Sequence, residues 1–346
     1  MTRSIFIVGL ICLFGCGPTP SNTPHNDADV GTDSGDSLAD NWSWIEIDGS
    51  TCGNGTPAGI GISEGNAPSR LMIFFAGGGA CWDTTSCYIV GSAVNIETTF
   101  NQDVLERELA PVENSGLIDR QDGPFAEATM VYVPYCTADL HSGDAVGAYD
   151  GFNPNRQIHH QGAVNIEAYL EYLSQTYPDT DEVFAVGISA GGYGAMINHH
   201  RMRAAFDGAP VHVLADGSPM VQPREGRWTA WKNAWNMQFP PGCEDCDETF
   251  PDYAAHVVDD DRDSRFALLT FSDDHTIAIF FAYALDGIGS AISSLVDQVY
   301  PDEPGGHSSA FSVDGTDHVT LQYYETLSDG GGYALRDFVD AWAVGD

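Results

Sequence analysis

The segment Gly187-Ile188-Ser189-Ala190-Gly191-Gly192 decides the fold, because it follows the apolar run Val183-Phe184-Ala185-Val186 and precedes a stretch with helical character, Tyr193 to Arg203. A buried strand, a tight turn with a serine between glycines, and a helix form the order of elements in a nucleophile elbow. In such a turn the serine hydroxyl is exposed at the sheet edge, and the next N–H is free to bind an oxyanion. The alternative is a loop that only turns the chain, but the order of elements favours Ser189 as a nucleophile.

A second glycine cluster, Ala76-Gly77-Gly78-Gly79-Ala80, follows another apolar run, Arg70 to Phe75. Glycine lets the backbone approach a reacting group closely, so that preorganised N–H groups can donate to a developing oxyanion. A triple glycine alone is also compatible with a flexible turn. Its place upstream of the elbow, directly after a predicted strand, predicts an oxyanion loop.

The acid and the histidine of a catalytic triad follow the serine along the chain in this architecture. Later apolar runs end at Asp216 and at the adjacent pair Asp273 and Asp274. The second run after the serine is the usual place of the acid, which favours Asp273 or Asp274 and leaves Asp216 to order a loop. Two histidines compete for the base, and the position of His318 after the last predicted strand favours it over His307.

Three blocks of the sequence resemble the pectin acetylesterase and Notum family of α/β-hydrolases, in its bacterial branch. The blocks are Phe75 to Asp83, Val133 to Asp144 and Gly187 to Gly194, and the segment Gln161 to Asn165 is similar to the family's helix before the nucleophile strand. The resemblance extends from about Trp44 to the C-terminus. It implies a serine carboxylesterase, since members remove acetyl groups from pectin or a fatty acyl group from a protein.

The resemblance implies a catalytic role for particular positions of this sequence. They are Ser189 as nucleophile, Asp273 as acid, His318 as base and, as oxyanion donors through their backbone N–H groups, Gly78, Gly79 and Ala190. Two adjacent carboxylates stand where the family has its acid, so Asp274 remains the alternate. We expect neither a metal nor a cofactor.

The alternation of predicted strands and helices indicates an α/β-hydrolase fold, with a mostly parallel sheet, helices on both faces and a cap insertion. Core strands are predicted at 71–75, 130–134, 183–187, 211–215, 266–271 and 310–313, an early hairpin at 44–47 and 59–63, and helices at 162–177, 193–206, 275–284, 288–300 and 335–341.

The cap is predicted at about residues 220–256, where the composition becomes rich in tryptophan. Trp228, Trp231 and Trp235 have helical spacing, which is typical of a stripe facing the core. The alternative is a surface beside the serine that receives an acyl chain or stacks on a sugar ring. Trp82, Trp228 and Trp231 are the predicted substrate-binding residues.

The first 15 residues have the features of a signal peptide, with Arg3 before an apolar stretch that is too short to span a membrane. Leu13-Phe14-Gly15-Cys16 resembles a bacterial lipobox, which predicts a lipid on Cys16. Residues 16–41 are predicted to be a disordered linker and residues 42–346 the catalytic domain. The expected location is a bacterial membrane, facing the periplasm or the cell exterior; the alternative is a secreted protein.

Six further cysteines form an even set, which in an exported chain is typical of disulfides. Their local spacing suggests the pairs Cys81 with Cys87 and Cys243 with Cys246, and Cys52 would then join Cys136. The alternative for the C-x-x-C pair at 243 and 246 is half of a zinc site, which the lack of a second C-x-x-C disfavours.

The formal net charge is −37, from 50 acidic and 13 basic residues. This balance excludes nucleic-acid binding, which requires basic patches that neutralise phosphates. It also repels a polyanion such as pectin at long range, although physiological salt screens charges beyond about 8 Å. A neutral acylated glycan or another ester is therefore the favoured substrate.

The function predicted from these features is that of an exported, monomeric serine carboxylesterase acting on O-acetyl or short acyl esters, with a glycan as the favoured substrate. A lipase-like or polyester-degrading esterase is the alternative within the same chemistry. A catalytically dead hydrolase-fold binding lipoprotein is the alternative outside it. The chain length of the acyl donor is left open.

Overall fold

A computed structural model of the chain describes residues 42–113, 116–149, 156–285 and 287–345. The predicted signal peptide, the linker at 16–41 and the predicted lipid site at Cys16 lie outside the described residues. None of the helices in the described ranges is long and apolar enough to cross a membrane.

The apolar runs of the sequence form strands. They are β1 Ser43–Thr51, β2 Pro57–Ser63, β3 Ala67–Phe75, β4 Ala128–Val133, β5 Ala145–Gly147, β6 Ile158–His160, β7 Glu182–Ile188, β8 Val211–Asp216, β9 Phe266–Phe271 and β10 Ser308–Val313. Eight of them form one sheet in the order β1-β2-β4-β3-β7-β8-β9-β10, and β5 pairs with β6 in a small second sheet.

The large sheet is mostly parallel. Pairing is antiparallel between β1 and β2 and between β2 and β4, and parallel between all other neighbours. Every residue of β4, β8 and β9 is buried, as expected for parallel strands covered on both faces. The predicted early hairpin and the predicted core strands are confirmed.

The helices flank this sheet. They are α1 Gln102–Glu113, α2 Gly162–Thr176, α3 Ala190–Ile197, α4 His199–Ala205, α5 Arg227–Trp235, α6 Phe250–Asp260, α7 His275–Phe280, α8 Gly289–Val299 and α9 Leu335–Val344, with a short π-helix at Thr85–Val90 and a 3₁₀ turn at Leu321–Tyr323.

The helix predicted at 193–206 is divided into α3 and α4 at Asn198. The Asn198 side chain donates to the carbonyl of Gly194 at 2.9 Å and to that of His141 at 2.8 Å. Such a side chain competes with the helical backbone for hydrogen bonds, which explains the break. Neither α1 nor α6 was predicted from the sequence.

The three predicted disulfides are confirmed: Cys52–Cys136, Cys81–Cys87 and Cys243–Cys246. The last one lies in the segment predicted to be a cap, which contains α5 and the start of α6. Trp228, Trp231 and Trp235 on α5 are all buried, as a core-facing stripe requires.

Candidate active site

Ser189 occupies a sharp turn between the end of β7 and the start of α3, and its backbone has φ 52° and ψ −123°. A non-glycine residue with positive φ is strained and persists only where its surroundings hold it. Here the Ser189 N–H donates to the carbonyl of Asp216 at 2.8 Å, and the Ser189 carbonyl accepts from Ser218 Oγ at 2.7 Å. Both partners lie at or just after the end of β8, so the neighbouring strand fixes the elbow.

Glycine is required at position 191 because the end of β3 lies against the elbow. A Cβ atom on Gly191 would be 2.0 Å from the carbonyl oxygen of Phe75, which no side chain tolerates. Gly77 is also tightly placed, because its Cβ would be 2.4 Å from the carbonyl oxygen of Ile188 and 3.0 Å from Ser189 Cβ. The two glycine clusters of the sequence therefore form one contact between the loop after β3 and the nucleophile turn.

The side chains of Ser189, His318 and Asp274 form a continuous hydrogen-bonded chain. His318 Nε2 lies 2.7 Å from Ser189 Oγ, and His318 Nδ1 lies 2.7 Å from Asp274 Oδ2. The Asp274 side chain is fully buried and that of His318 is 12% exposed. With Nδ1–H donating to the carboxylate, Nε2 accepts from the serine hydroxyl, which is the arrangement of a general base.

The predicted acid, Asp273, is wrong, because the structure places its neighbour Asp274 against the histidine. Asp274 caps α7: its Oδ1 accepts from the N–H of Ile277 at 2.9 Å while Oδ2 faces His318. The Asp273 carboxylate lies beside Gly289, whose Cβ would be 2.5 Å from Asp273 Oδ1. An aspartate directly before a helical run is a strong N-cap signal, and that signal could have distinguished the two residues.

The predicted oxyanion donors lie around Ser189. Ala190 is the first residue of α3, where an N–H group has no partner within the helix. Gly79 and Ala190 line the same cavity as Ser189, and Gly78 precedes Gly79 in the loop. Gly79 has φ +77°, which favours glycine at this position.

Asp216 orders the loop that carries His318, as the sequence analysis expected of it. Its buried carboxylate accepts from Thr320 N and Thr320 Oγ1, both at 2.9 Å, and from Leu321 N at 2.7 Å. Burial raises the pKa of Asp216 to about 6. The competing histidine, His307, lies elsewhere, with its ring nitrogens next to the carbonyls of Ser264 and Val258.

A narrow apolar cavity of about 20 Å³ adjoins Ser189. It is lined by Gly79, Ala80, Leu140, Ser189, Ala190, Tyr193, Trp231, Ile277, Phe280 and Phe281. A larger cavity of about 220 Å³, lined by Tyr88, Asn95 and Arg156 among others, is not lined by Ser189, His318 or Asp274. The α7 residues that line the cavity beside Ser189, Ile277 and Phe280, were not predicted, because spacing alone does not reveal which helix face covers the serine.

Only one of the three predicted substrate-binding tryptophans lines the cavity. Trp231 does so, and Trp82 lies beside it with ring centroids 5.5 Å apart. Trp228 is instead buried against Phe250, with ring centroids 4.6 Å apart, and donates to the carbonyl of Asp247 at 3.1 Å. Trp228 therefore belongs to the interior of the cap, and its assignment to the substrate is wrong.

Within the described residues, two groups of side chains have the spacing of metal ligands: Cys81, Cys87 and His160, and Cys243, Cys246 and His256. In each group both cysteines are joined in a disulfide. A metal requires thiolate sulfur, so the oxidised chain does not offer these ligand sets.

The fold and the serine elbow define an α/β-hydrolase. A family model described as Pectinacetylesterase matches residues 43–227, more than half of the chain, and the chain belongs to this family. The matched range includes both glycine clusters and Ser189. Asp274 and His318 lie beyond it, so their placement rests on the structure.

Curated relatives include Palmitoleoyl-protein carboxylesterase notum2 from Xenopus laevis, 29% identical over 45% of this chain and 31% of that protein. Another is Palmitoleoyl-protein carboxylesterase NOTUM from Homo sapiens, 24% identical over 52% of this chain and 36% of that protein. The chain thus spans about a third of the length of these relatives. A relative from Danio rerio, 29% identical over 33% of this chain and 76% of that protein, is named Inactive palmitoleoyl-protein carboxylesterase notum1b.

A solved structure, the Wnt deacylase Notum from Drosophila, has a TM-score of 0.63 with this chain and 17% sequence identity. The match covers 88% of this chain and 95% of that one. At this identity the likeness shows the fold alone, and the predicted α/β-hydrolase fold is confirmed.

The raised pKa of Asp216 predicts an unusual pH dependence of stability. Between about pH 4 and its folded pKa, this group is protonated in the folded chain and ionised in the unfolded one, so its contribution to the free energy of unfolding falls as pH rises. This rise of the Asp216 pKa to about 6 corresponds to about 3 kcal/mol in the free energy of unfolding. The free energy of unfolding of wild type minus that of Asp216→Asn should therefore fall by about this amount between pH 3.5 and 7 in urea titrations. A difference that stays flat across this pH range contradicts the prediction.

Proposed function

We propose that the protein is an exported serine carboxylesterase that hydrolyses O-acetyl or other short acyl esters, with a neutral glycan as the favoured substrate. The chain of hydrogen bonds from Ser189 through His318 to Asp274, with 2.7 Å at each step, is the observation that carries this proposal. It supplies a nucleophile, a base and a buried carboxylate in the geometry that ester hydrolysis requires.

The reaction proceeds in two halves. His318 Nε2 takes the proton of Ser189 as Oγ attacks the acyl carbon, and the resulting oxyanion accepts from the N–H groups of Gly78, Gly79 and Ala190. The C–O bond to the alcohol then breaks, His318 gives its proton to the leaving oxygen, and the acyl group remains on Ser189. Water attacks the acyl-enzyme in the same way and releases the acid. Asp274 stabilises the imidazolium in both halves.

The cavity beside Ser189 supports a short acyl group. A space of about 20 Å³ holds roughly one water molecule, since one such molecule needs about 10–15 Å³ on this measure. That suits the methyl group of an acetyl ester. A fatty acyl chain would require the walls formed by Trp231, Ile277 and Phe281 to move, so a lipase-like activity is the weaker proposal.

One relative is named inactive, so a catalytically dead binding protein is the alternative. Family membership therefore does not by itself imply activity. In this chain the serine, the histidine and a buried carboxylate are all present and in contact, and that contact favours an active enzyme.

Export is supported by the three disulfides, which form and persist in oxidising compartments. The high negative charge repels a polyanion at long range and so favours a neutral substrate. Attachment to a membrane through a lipid on Cys16, and the monomeric state, remain predictions from the sequence.

The proposal is tested by hydrolysis of 4-nitrophenyl acetate. Wild type should be active, and Ser189→Ala should lower kcat by about 10⁴-fold or more. Asp274→Asn should lower kcat by about 10³- to 10⁴-fold, because the histidine loses its orienting acceptor. Asp273→Asn is the matched control one residue away and should stay within about 3-fold of wild type. A fully active Ser189→Ala contradicts the function, and a greater loss in Asp273→Asn contradicts the assignment of the acid.

The small cavity predicts discrimination by acyl length. Each extra methylene group in a hydrophobic pocket changes kcat/KM by about 10-fold or more, so 4-nitrophenyl butyrate should be hydrolysed at least about 100-fold less efficiently than the acetate. Phe281→Ala should raise the butyrate-to-acetate ratio of kcat/KM by about 10-fold or more. Phe338→Ala, at an equally buried phenylalanine on α9, controls for lost stability and should leave the ratio unchanged. Equal efficiency toward both esters in wild type contradicts the short-acyl proposal.

A further inference from the structure

The segment between β4 and β5, residues 135–143, has a strained backbone and is called the 135–143 loop below. Ala138, Leu140 and His141 have φ angles of 60°, 55° and 55°. Three non-glycine residues in the left-handed region within four positions are costly and persist only where the surroundings determine them fully.

Asp139 holds the loop in this conformation. Its side chain is fully buried. Oδ1 accepts from Thr137 Oγ1 at 2.7 Å, and Oδ2 accepts from the N–H groups of Gly162 at 2.7 Å and Gly143 at 3.2 Å. Because these bonds satisfy the buried carboxylate, they offset both its desolvation and the strain of the backbone around it.

The loop after β3, residues 76–80, is called the glycine loop below. Two side chains of the 135–143 loop reach its two ends. The Tyr135 hydroxyl donates to the carbonyl of Gly79 at 2.7 Å and accepts from the N–H of Leu140 at 3.0 Å. His141 Nε2–H donates to the carbonyl of Ala76 at 2.9 Å. Burial lowers the pKa of His141, so the ring is neutral and carries a single N–H for this bond.

Both rings are fixed by their neighbours. Tyr135 and His141 have ring centroids 4.8 Å apart, and both side chains are buried. A Cβ on Gly194 would be 2.6 Å from His141 Cδ2, so the imidazole fills the space between α3 and the glycine loop. Asn198, at the break between α3 and α4, donates to the His141 carbonyl at 2.8 Å. Neither ring is therefore free to turn away from the carbonyl that it holds.

The glycine loop needs such support because its own residues are conformationally permissive. Gly78 and Gly79 have φ of +152° and +77°, where glycine adds little restraint. The Gly78 carbonyl accepts from Val94 N at 2.9 Å, and since C=O and N–H point oppositely across a trans peptide, this bond also aims the Gly79 N–H. The bonds to Ala76 and Gly79 fix the loop on either side of that peptide.

We propose that Tyr135 and His141 are positioning residues that hold the peptide units of Gly78 and Gly79 in the orientation that binds the oxyanion. This inference rests on the proposed esterase function. Among the described residues the hydrogen bonds of both side chains go to backbone groups and not to Ser189, so both act through the loop. The strain of the 135–143 loop is retained because it aims a hydroxyl and an imidazole at two backbone carbonyls at once.

The test compares Tyr135→Phe with Tyr253→Phe. Tyr253 is also fully buried, and its hydroxyl donates to the carbonyl of Ile197 at 3.0 Å, so its removal costs a similar hydrogen bond away from the glycine loop. Losing one oxyanion donor costs about 10²- to 10³-fold in kcat, and a displaced loop should cost about 10-fold or more. Tyr135→Phe should therefore lower kcat by at least about 10-fold with KM within about 2-fold, while Tyr253→Phe leaves both unchanged.

Affinity for a boronic acid that forms a tetrahedral adduct should fall in Tyr135→Phe in parallel with kcat. Competitive inhibition by the product acid should not change, because it forms no oxyanion. At the other end of the loop, His141→Gln retains an N–H donor at a similar reach and should keep more of kcat than His141→Leu. This second pair tests the proposal if Tyr135→Phe folds poorly.

Three results overturn the inference: a kcat of Tyr135→Phe within 2-fold of wild type, an equal loss in Tyr253→Phe, or a lower kcat with unchanged affinity for the boronic acid. Equal kcat values for the glutamine and leucine variants of His141 also count against it. A wild-type protein without Ser189-dependent hydrolysis overturns the proposed function together with this inference, whereas an active wild type with an unaffected Tyr135→Phe overturns the inference alone.

Discussion

The strained turn at Ser189 is the constraint on which the rest of the site depends. A positive φ of 52° at a serine directs its side chain away from both flanking elements and requires neighbours that hold the backbone there. The end of β3 approaches so closely that position 191 must be glycine, and the end of β8 supplies the hydrogen bonds. The order β3-β7-β8-β9 then brings the carboxyl ends of four parallel strands to one edge, where sites form in open α/β sheets.

Buried carboxylates anchor the loops at this edge. Asp139, Asp216 and Asp274 are all fully buried, and each accepts hydrogen bonds from backbone N–H groups of a loop or of a helix N-terminus. Asp274 also bonds the imidazole of His318 directly. Burying a charge without partners is very costly, so these hydrogen bonds specify the loop conformations tightly. The chain carries many acidic residues, and its net charge does not indicate which of them hold backbone segments by buried hydrogen bonds.

Much of this arrangement could be predicted from the sequence because its signals are local. The strand before Ser189, the glycines around it and the spacing of the cysteines predicted the elbow, the core strands and the disulfides. The choice between Asp273 and Asp274 failed because it depends on the direction of two consecutive side chains, which only the N-cap of α7 resolves. Trp228 was misassigned because a helical stripe does not indicate which of its residues meets the cavity. The contacts of Tyr135 and His141 with the glycine loop join segments that are about 60 residues apart, and no local pattern reports them.

The most direct test of the account is covalent labelling with a 4-nitrophenyl phosphonate, followed by intact mass and peptide mapping. If Ser189 is activated by His318 and Asp274, one phosphonyl group should be attached per chain, at Ser189, with stoichiometric release of nitrophenol and loss of esterase activity. The His318→Ala variant should react far more slowly. Labelling of another residue, or full activity after Ser189 has been modified, would contradict the claim that this serine is the nucleophile.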